Sequence, residues 1–95
     1  MHFVTSVSYE SDYKLRLNFD DGLVKIVDLA GHLTGEIFLP LKDLNLFRSA
    51  HLDPDLDTVV WDNGADMSPD FLYLIGETAD RSSALKVAEP PAQYG

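Results

Sequence analysis

Carboxylates are the side chains here best placed to do chemistry, sixteen of them against seven Lys and Arg in a 95-residue chain without cysteine. Lacking cysteine, the chain has no thiolate nucleophile, zinc-thiolate site or disulfide framework. Asp53-x-Asp55-x-Asp57 spaces oxygen ligands as a calcium loop does, but Thr58 stands where the sharp turn needs glycine, and Gly64 where a bidentate glutamate would close the shell. The frame Asp66-x-Ser68-x-Asp70 does reach Glu77 at its twelfth place, yet Phe71 occupies its glycine position and Pro69 commits its middle to a helix. An aspartate turn and a helix cap account for these two runs.

His2, His32 and His51 stand far apart, in no His-x-His or His-x-x-x-His spacing, so the sequence names no metal ligands. Ser68 lacks a Gly-x-Ser-x-Gly elbow and suits a helix cap, which uses its hydroxyl. Gly31 and Gly35 fit no phosphate-binding pattern, and no two carboxylates are marked by spacing as an acid-base pair. No catalytic residue, metal or cofactor is expected.

The cluster that invites a binding role is Asp62, Asn63 and Asp66, flanked by Trp61 and Tyr73. Aromatic anchors ringed by polar groups are what interfaces use, which makes these five residues the candidate partner-binding edge. The same residues also suit a purely structural turn: Asn63-Gly64 can bond its own backbone, and Trp61 is wanted by so small a core.

The elements that position this edge follow from periodicity. Residues 3–9 are rich in β-branched and aromatic side chains and read as a first strand. Tyr13, Leu15, Leu17 and Phe19 alternate with Lys14, Arg16 and Asn18, the period of a strand with one buried face. Asp21-Gly22 suits a two-residue hairpin turn, which would set Phe19 opposite Val24, Leu17 opposite Ile26 and Arg16 opposite Val27. Asp28 can cap a helical turn over residues 29–33, closed by Gly35, and Pro40 can open a helix carrying Leu41, Leu44 and Phe47. Strands at 50–52 and 58–61 are joined by the Asp53-Pro54-Asp55 turn. In the last helix Ser68 caps, Pro69 and Asp70 fill the first turn, and Met67 and Leu72 staple across it. Phe71, Leu74 and Ile75 form its apolar stripe, and Gly76 takes a left-handed position past its end.

The expected architecture is α+β, a mostly antiparallel sheet of about five short strands with two short helices on one face. Residues 1–76 form one domain and 77–95 a partly disordered tail, in which 84–87 is the segment able to dock as a strand. No run approaches the ~20 apolar residues of a membrane span, and no basic, then apolar, leader opens the chain, so a cytoplasmic protein is expected. A formal charge of −9 disfavours nucleic acid and anionic lipid and steers in a basic protein.

The strand at 15–19 with Asp21-Gly22, the Val27-Asp28-Leu29 step, Leu41-Lys42-Asp43 with Phe47, and above all Trp61-Asp62-Asn63-Gly64-Ala65-Asp66 with Pro69, Leu72 and Tyr73 resemble the small bacterial domain of unknown function 2442. The resemblance covers residues 3–75, and its specific element is Trp-x-Asn-Gly-x-Asp; many relatives carry proline where this chain has Asp62. It implies no catalytic residues. Some relatives resemble the second member of a two-gene, toxin-antitoxin-like pair, which implies a small protein partner. Others carry a helix-turn-helix domain after this one; here a short tail follows, and DNA binding is not carried over. The expected function is therefore a non-enzymatic interaction module, antitoxin-like or regulatory, for a small basic protein. The alternative is a small-ligand or metal-binding domain centred on residues 62–66.

Overall fold

The computed structural model describes residues 1–79. Strands β1 (Val4–Ser11), β2 (Lys14–Phe19) and β3 (Val24–Asp28) form an antiparallel meander, extended by β6 (Glu77–Thr78) in the order β1-β2-β3-β6. Strands β4 (His51–Asp53) and β5 (Thr58–Val60) form a separate hairpin, and the helices are α1 (Leu44–Phe47) and α2 (Pro69–Ile75). This is the expected α+β fold, with six strands in place of about five. Pairing of Glu77 and Thr78 with Ile26 and Lys25 carries the sheet just past Gly76. Residues 80–95 of the expected tail, with its expected docking segment at 84–87, lie outside the described residues.

The inner face of the meander carries Val4, Leu15, Leu17, Phe19 and Val27. These pack against Leu29, Leu33, Leu41, Phe47, Val59, Trp61 and Leu72 in one core. Both β-hairpin arms alternate as expected, but the register between β2 and β3 differs by one residue. Phe19 N–H donates to the Leu23 carbonyl (2.9 Å) and Gly22 N–H to the Phe19 carbonyl (3.0 Å), so the loop is the three residues Asp20, Asp21 and Gly22. Leu17 therefore faces Lys25, and Arg16 faces Ile26. The reason is local. A two-residue turn would need Asp21 as well as Gly22 at positive φ, whereas only Gly22 is left-handed here (φ 89°) and Asp21 accepts the Leu23 N–H (3.0 Å). The inward place at position 25 thus falls to a lysine, whose stem is buried and whose ammonium donates to the Tyr73 carbonyl (2.8 Å).

The helices also differ from their sequence pattern. Asp28 accepts the Ala30 N–H (3.0 Å) and opens a 3-10 turn at Ala30–His32. The helix expected from Pro40 is broken in two, a 3-10 segment Leu39–Lys42 and then α1, because Asp43 leaves helical geometry and caps α1 by accepting the Asn45 N–H (3.0 Å). Ser68 caps α2 as expected, but Gly76 is extended (φ −71°, ψ 150°) rather than left-handed. Its missing side chain serves close approach instead, since a Cβ there would lie 3.0 Å from the Leu72 carbonyl oxygen and from Val27 Cγ2. The α2 stripe is also reassigned. Leu72 is buried while Phe71 (36% exposed) and Leu74 (81%) face outward.

Candidate functional site: a groove beside the second glycine turn

After β5 the chain turns through Trp61-Asp62-Asn63-Gly64-Ala65. Trp61 N–H donates to the Ala65 carbonyl (2.9 Å), Gly64 N–H to the Trp61 carbonyl (2.9 Å), and Asn63 Oδ1 accepts the Ala65 N–H (3.1 Å). Gly64 takes φ 90°, a conformation that any side chain would strain. Asn63 also reaches outward, its Nδ2 donating to the Ile37 carbonyl (2.9 Å), which ties the turn to the segment leading into Leu39–Lys42.

The five residues singled out in the sequence have separate fates. Trp61 is 2% exposed, its indole N–H donating to the Phe47 carbonyl (3.0 Å), so it is a core residue rather than a surface anchor. Asp62 is exposed, its backbone N–H on Ser49 Oγ (3.0 Å) and its carboxylate 3.9 Å from His51 Nδ1. Asn63 is absorbed by the turn. Asp66 is exposed, and its backbone bridges to Val60.

Tyr73 belongs to the other turn. Its ring is stacked on His2 (centroids 3.5 Å apart, 5° between planes), Lys25 Nζ lies 3.8 Å from its centroid, and its hydroxyl donates to Asp21 Oδ2 (2.6 Å). That bond holds the Asp21 carboxyl below its ordinary range, helped by the Leu23 N–H, and pushes the Tyr73 phenol above its own.

Asp66 opens onto a feature that periodicity did not expose. An open groove of about 430 Å3 is lined by Gly31, His32, Thr34 and Phe38 on one side and by Asp66, Met67, Ser68 and Phe71 on the other. His32 stands edge-on to Phe71, ring centroids 5.3 Å apart at 84°. The groove unites residues from the loop after β3 with the start of α2, a distance in sequence that no local pattern spans. Phe71, read from the sequence as part of the core stripe, lines it instead.

Chemically the groove offers aromatic and thioether walls, two hydroxyls, an imidazole and one carboxylate, with no Lys or Arg in its lining. Among the described residues no three His, Asp or Glu side chains converge as a metal-holding group, and no helix is long and apolar enough to cross a membrane. No curated protein and no solved structure matches the chain. A family model does match, from the first residue of β1 to the first of β6, taking in both glycine turns and both helices. By that match, over residues 4–77, the chain belongs to the family described as Protein of unknown function (DUF2442).

Proposed function

We propose that this chain is a non-enzymatic interaction module of the cytoplasm, an antitoxin-like or regulatory subunit that binds a small basic protein through its acidic surface. The observation that supports this reading is the outward face of α2, where Phe71 and Leu74 stand uncovered beside an open groove. A soluble monomer gains nothing in stability from two such side chains in water, whereas a partner that covers them gains apolar burial. Charge selects the partner. Almost every carboxylate of the described residues is exposed, Asp53 alone being half-buried, while Lys25 is buried and Arg16 is held by Glu10 (3.2 Å). Such a surface raises the association rate of a cationic protein and repels nucleic acid.

The test is reconstitution. A protein co-purified from the native cell is expressed separately and its association measured by stopped flow. The reading expects near one-to-one binding whose on-rate falls steeply from low to physiological salt, and which Leu74→Ser weakens while the variant's circular dichroism stays that of wild type. An on-rate indifferent to salt, or wild-type affinity in folded Leu74→Ser, would overturn it.

A further inference from the structure

Resting on that reading, we propose that the groove between the 31–38 segment and α2 takes an arginine side chain of the partner, its guanidinium meeting Asp66. Three observations converge. The lining holds a single carboxylate and no Lys or Arg, so the one fixed charge an incoming cation meets in the groove is opposite to its own. The Asp66 carboxylate accepts no hydrogen bond among the described residues. Asp70, four residues on, is by contrast already engaged by the His2 N–H (2.7 Å). The walls are Phe38, Phe71 and Met67, surfaces on which a planar, weakly hydrated guanidinium and its three-methylene stem gain contact.

Arginine fits this set better than lysine. An ammonium is compact and strongly hydrated, so it gains less from aromatic walls and cannot bind a carboxylate through two parallel N–H groups. The hydroxyl of Thr34 lies in the same lining and offers an acceptor for a guanidinium N–H left over, while Ser68 Oγ already accepts the Phe71 N–H. Electroneutrality adds selectivity, because a neutral side chain of the same shape would leave Asp66 desolvated and unpaired.

The experiment uses the full chain, labelled with 15N, and three pentapeptides, acetyl-Gly-Ala-X-Ala-Gly-amide, with X as arginine, lysine or citrulline. Citrulline keeps the shape and planarity of arginine and removes its charge. The arginine peptide should produce saturable shifts at the amides of His32, Thr34, Phe38, Asp66 and Phe71, with the citrulline peptide at least about tenfold weaker and lysine in between. Asp66→Asn should lower the arginine affinity by a similar factor, while Asp55→Asn, with equal loss of net charge, leaves it unchanged. Phe71→Ala should reduce the arginine–lysine difference.

Shifts spread over the whole acidic surface, equal effects of Asp66→Asn and Asp55→Asn, or citrulline binding as tightly as arginine would overturn the assignment. The two proposals fail separately. A reconstituted basic partner that leaves the groove amides unshifted removes the arginine site and keeps the interaction module. Arginine-peptide binding in a chain whose partner association ignores salt does the reverse.

Discussion

Two turns of this molecule solve one backbone problem with nearly the same five residues. Phe19-Asp20-Asp21-Gly22-Leu23 and Trp61-Asp62-Asn63-Gly64-Ala65 each begin on a buried aromatic, place an Asp or Asn side-chain oxygen on the N–H two residues later, and pass through glycine at φ 89° and 90°. Their main-chain bonds correspond one for one. What differs is the third party. Asp21 accepts from a hydroxyl, Tyr73, with its second oxygen; Asn63 meets a carbonyl, Ile37, which can only accept, so a donor is required there. The turn geometry is set locally, and the choice of Asp or Asn is set by what the fold brings alongside.

The strongest way to break the comparison is at its base. Trp61→Ala and Phe19→Ala should each cost about 3–5 kcal/mol, a large share of the stability of a domain this size. Trp61 should be the worse of the two, because its loss also leaves the Phe47 carbonyl without the indole N–H in a buried site. Chemical denaturation with Trp61→Phe alongside separates ring volume from the hydrogen bond. A Trp61→Ala protein within half a kcal/mol of wild type would contradict its place in the core.

Next come the glycines. Nothing lies within 4 Å of a Cβ built at Gly22 or Gly64, so alanine at either should cost backbone strain alone, about 1–2 kcal/mol, and nearly the same at each. Gly76→Ala is the contrast, its φ being ordinary and its neighbours close, so its cost should come from displaced packing and fall on the contact of α2 with β3. Amide shifts confined to the turn for Gly22→Ala and Gly64→Ala, but spread over 25–27 and 72 for Gly76→Ala, would confirm the distinction.

These glycines also mark how far the sequence can be read. Strand alternation, the Ser68 cap, the Asp53 turn and the family likeness depend on neighbours in the chain and were legible. The β2–β3 register was not, because Asp-Gly serves both a two-residue turn and the last two places of a three-residue loop. Which of the two forms depends on φ at Asp21, and an aspartate tolerates either sign; Tyr73 and the Phe3 N–H, which bonds Asp20 Oδ1 (3.1 Å), then hold the longer loop. The division of the Pro40 helix lay in Asp43, a residue able either to continue a helix or to cap the next one. Of the binding edge, the turn residues were legible and the groove was not. Phe38 and Phe71 are separated in the chain by α1, β4, β5 and the second turn, and it is the folded arrangement of these elements that makes them line one groove.

Exchanging the third-party chemistry sharpens the comparison. Asn63→Asp keeps the turn, as Asp21 demonstrates, but sets a carboxylate oxygen against the Ile37 carbonyl and should cost about 1–3 kcal/mol. Asp21→Asn should lose less, since the Tyr73 hydroxyl can rotate to accept from the new amide. Thermal melts of the two variants, run side by side, test the order. Equal losses would mean that neither outward bond matters and that the turn alone stabilises.

The smallest effect isolates the Asp21–Tyr73 bond by pH. The Asp21 carboxyl is held low chiefly by the Tyr73 hydroxyl, so its contribution is present above the ordinary carboxylate value and disappears as pH falls through the lowered one. The Tyr73 phenol is pushed up chiefly by Asp21, so its contribution is present below the ordinary tyrosine value and disappears as pH rises through the raised one. The stability lost in Tyr73→Phe should therefore be flat between about pH 5 and pH 9 and shrink at both ends. The loss in Asn63→Ala, whose partners are backbone groups, should not follow those limits. Urea denaturation at stepped pH reads both. A Tyr73→Phe penalty of the same size at both ends would show that the loss does not come from the bond to Asp21, and the two turns would then not differ by the polarity of the bond each makes.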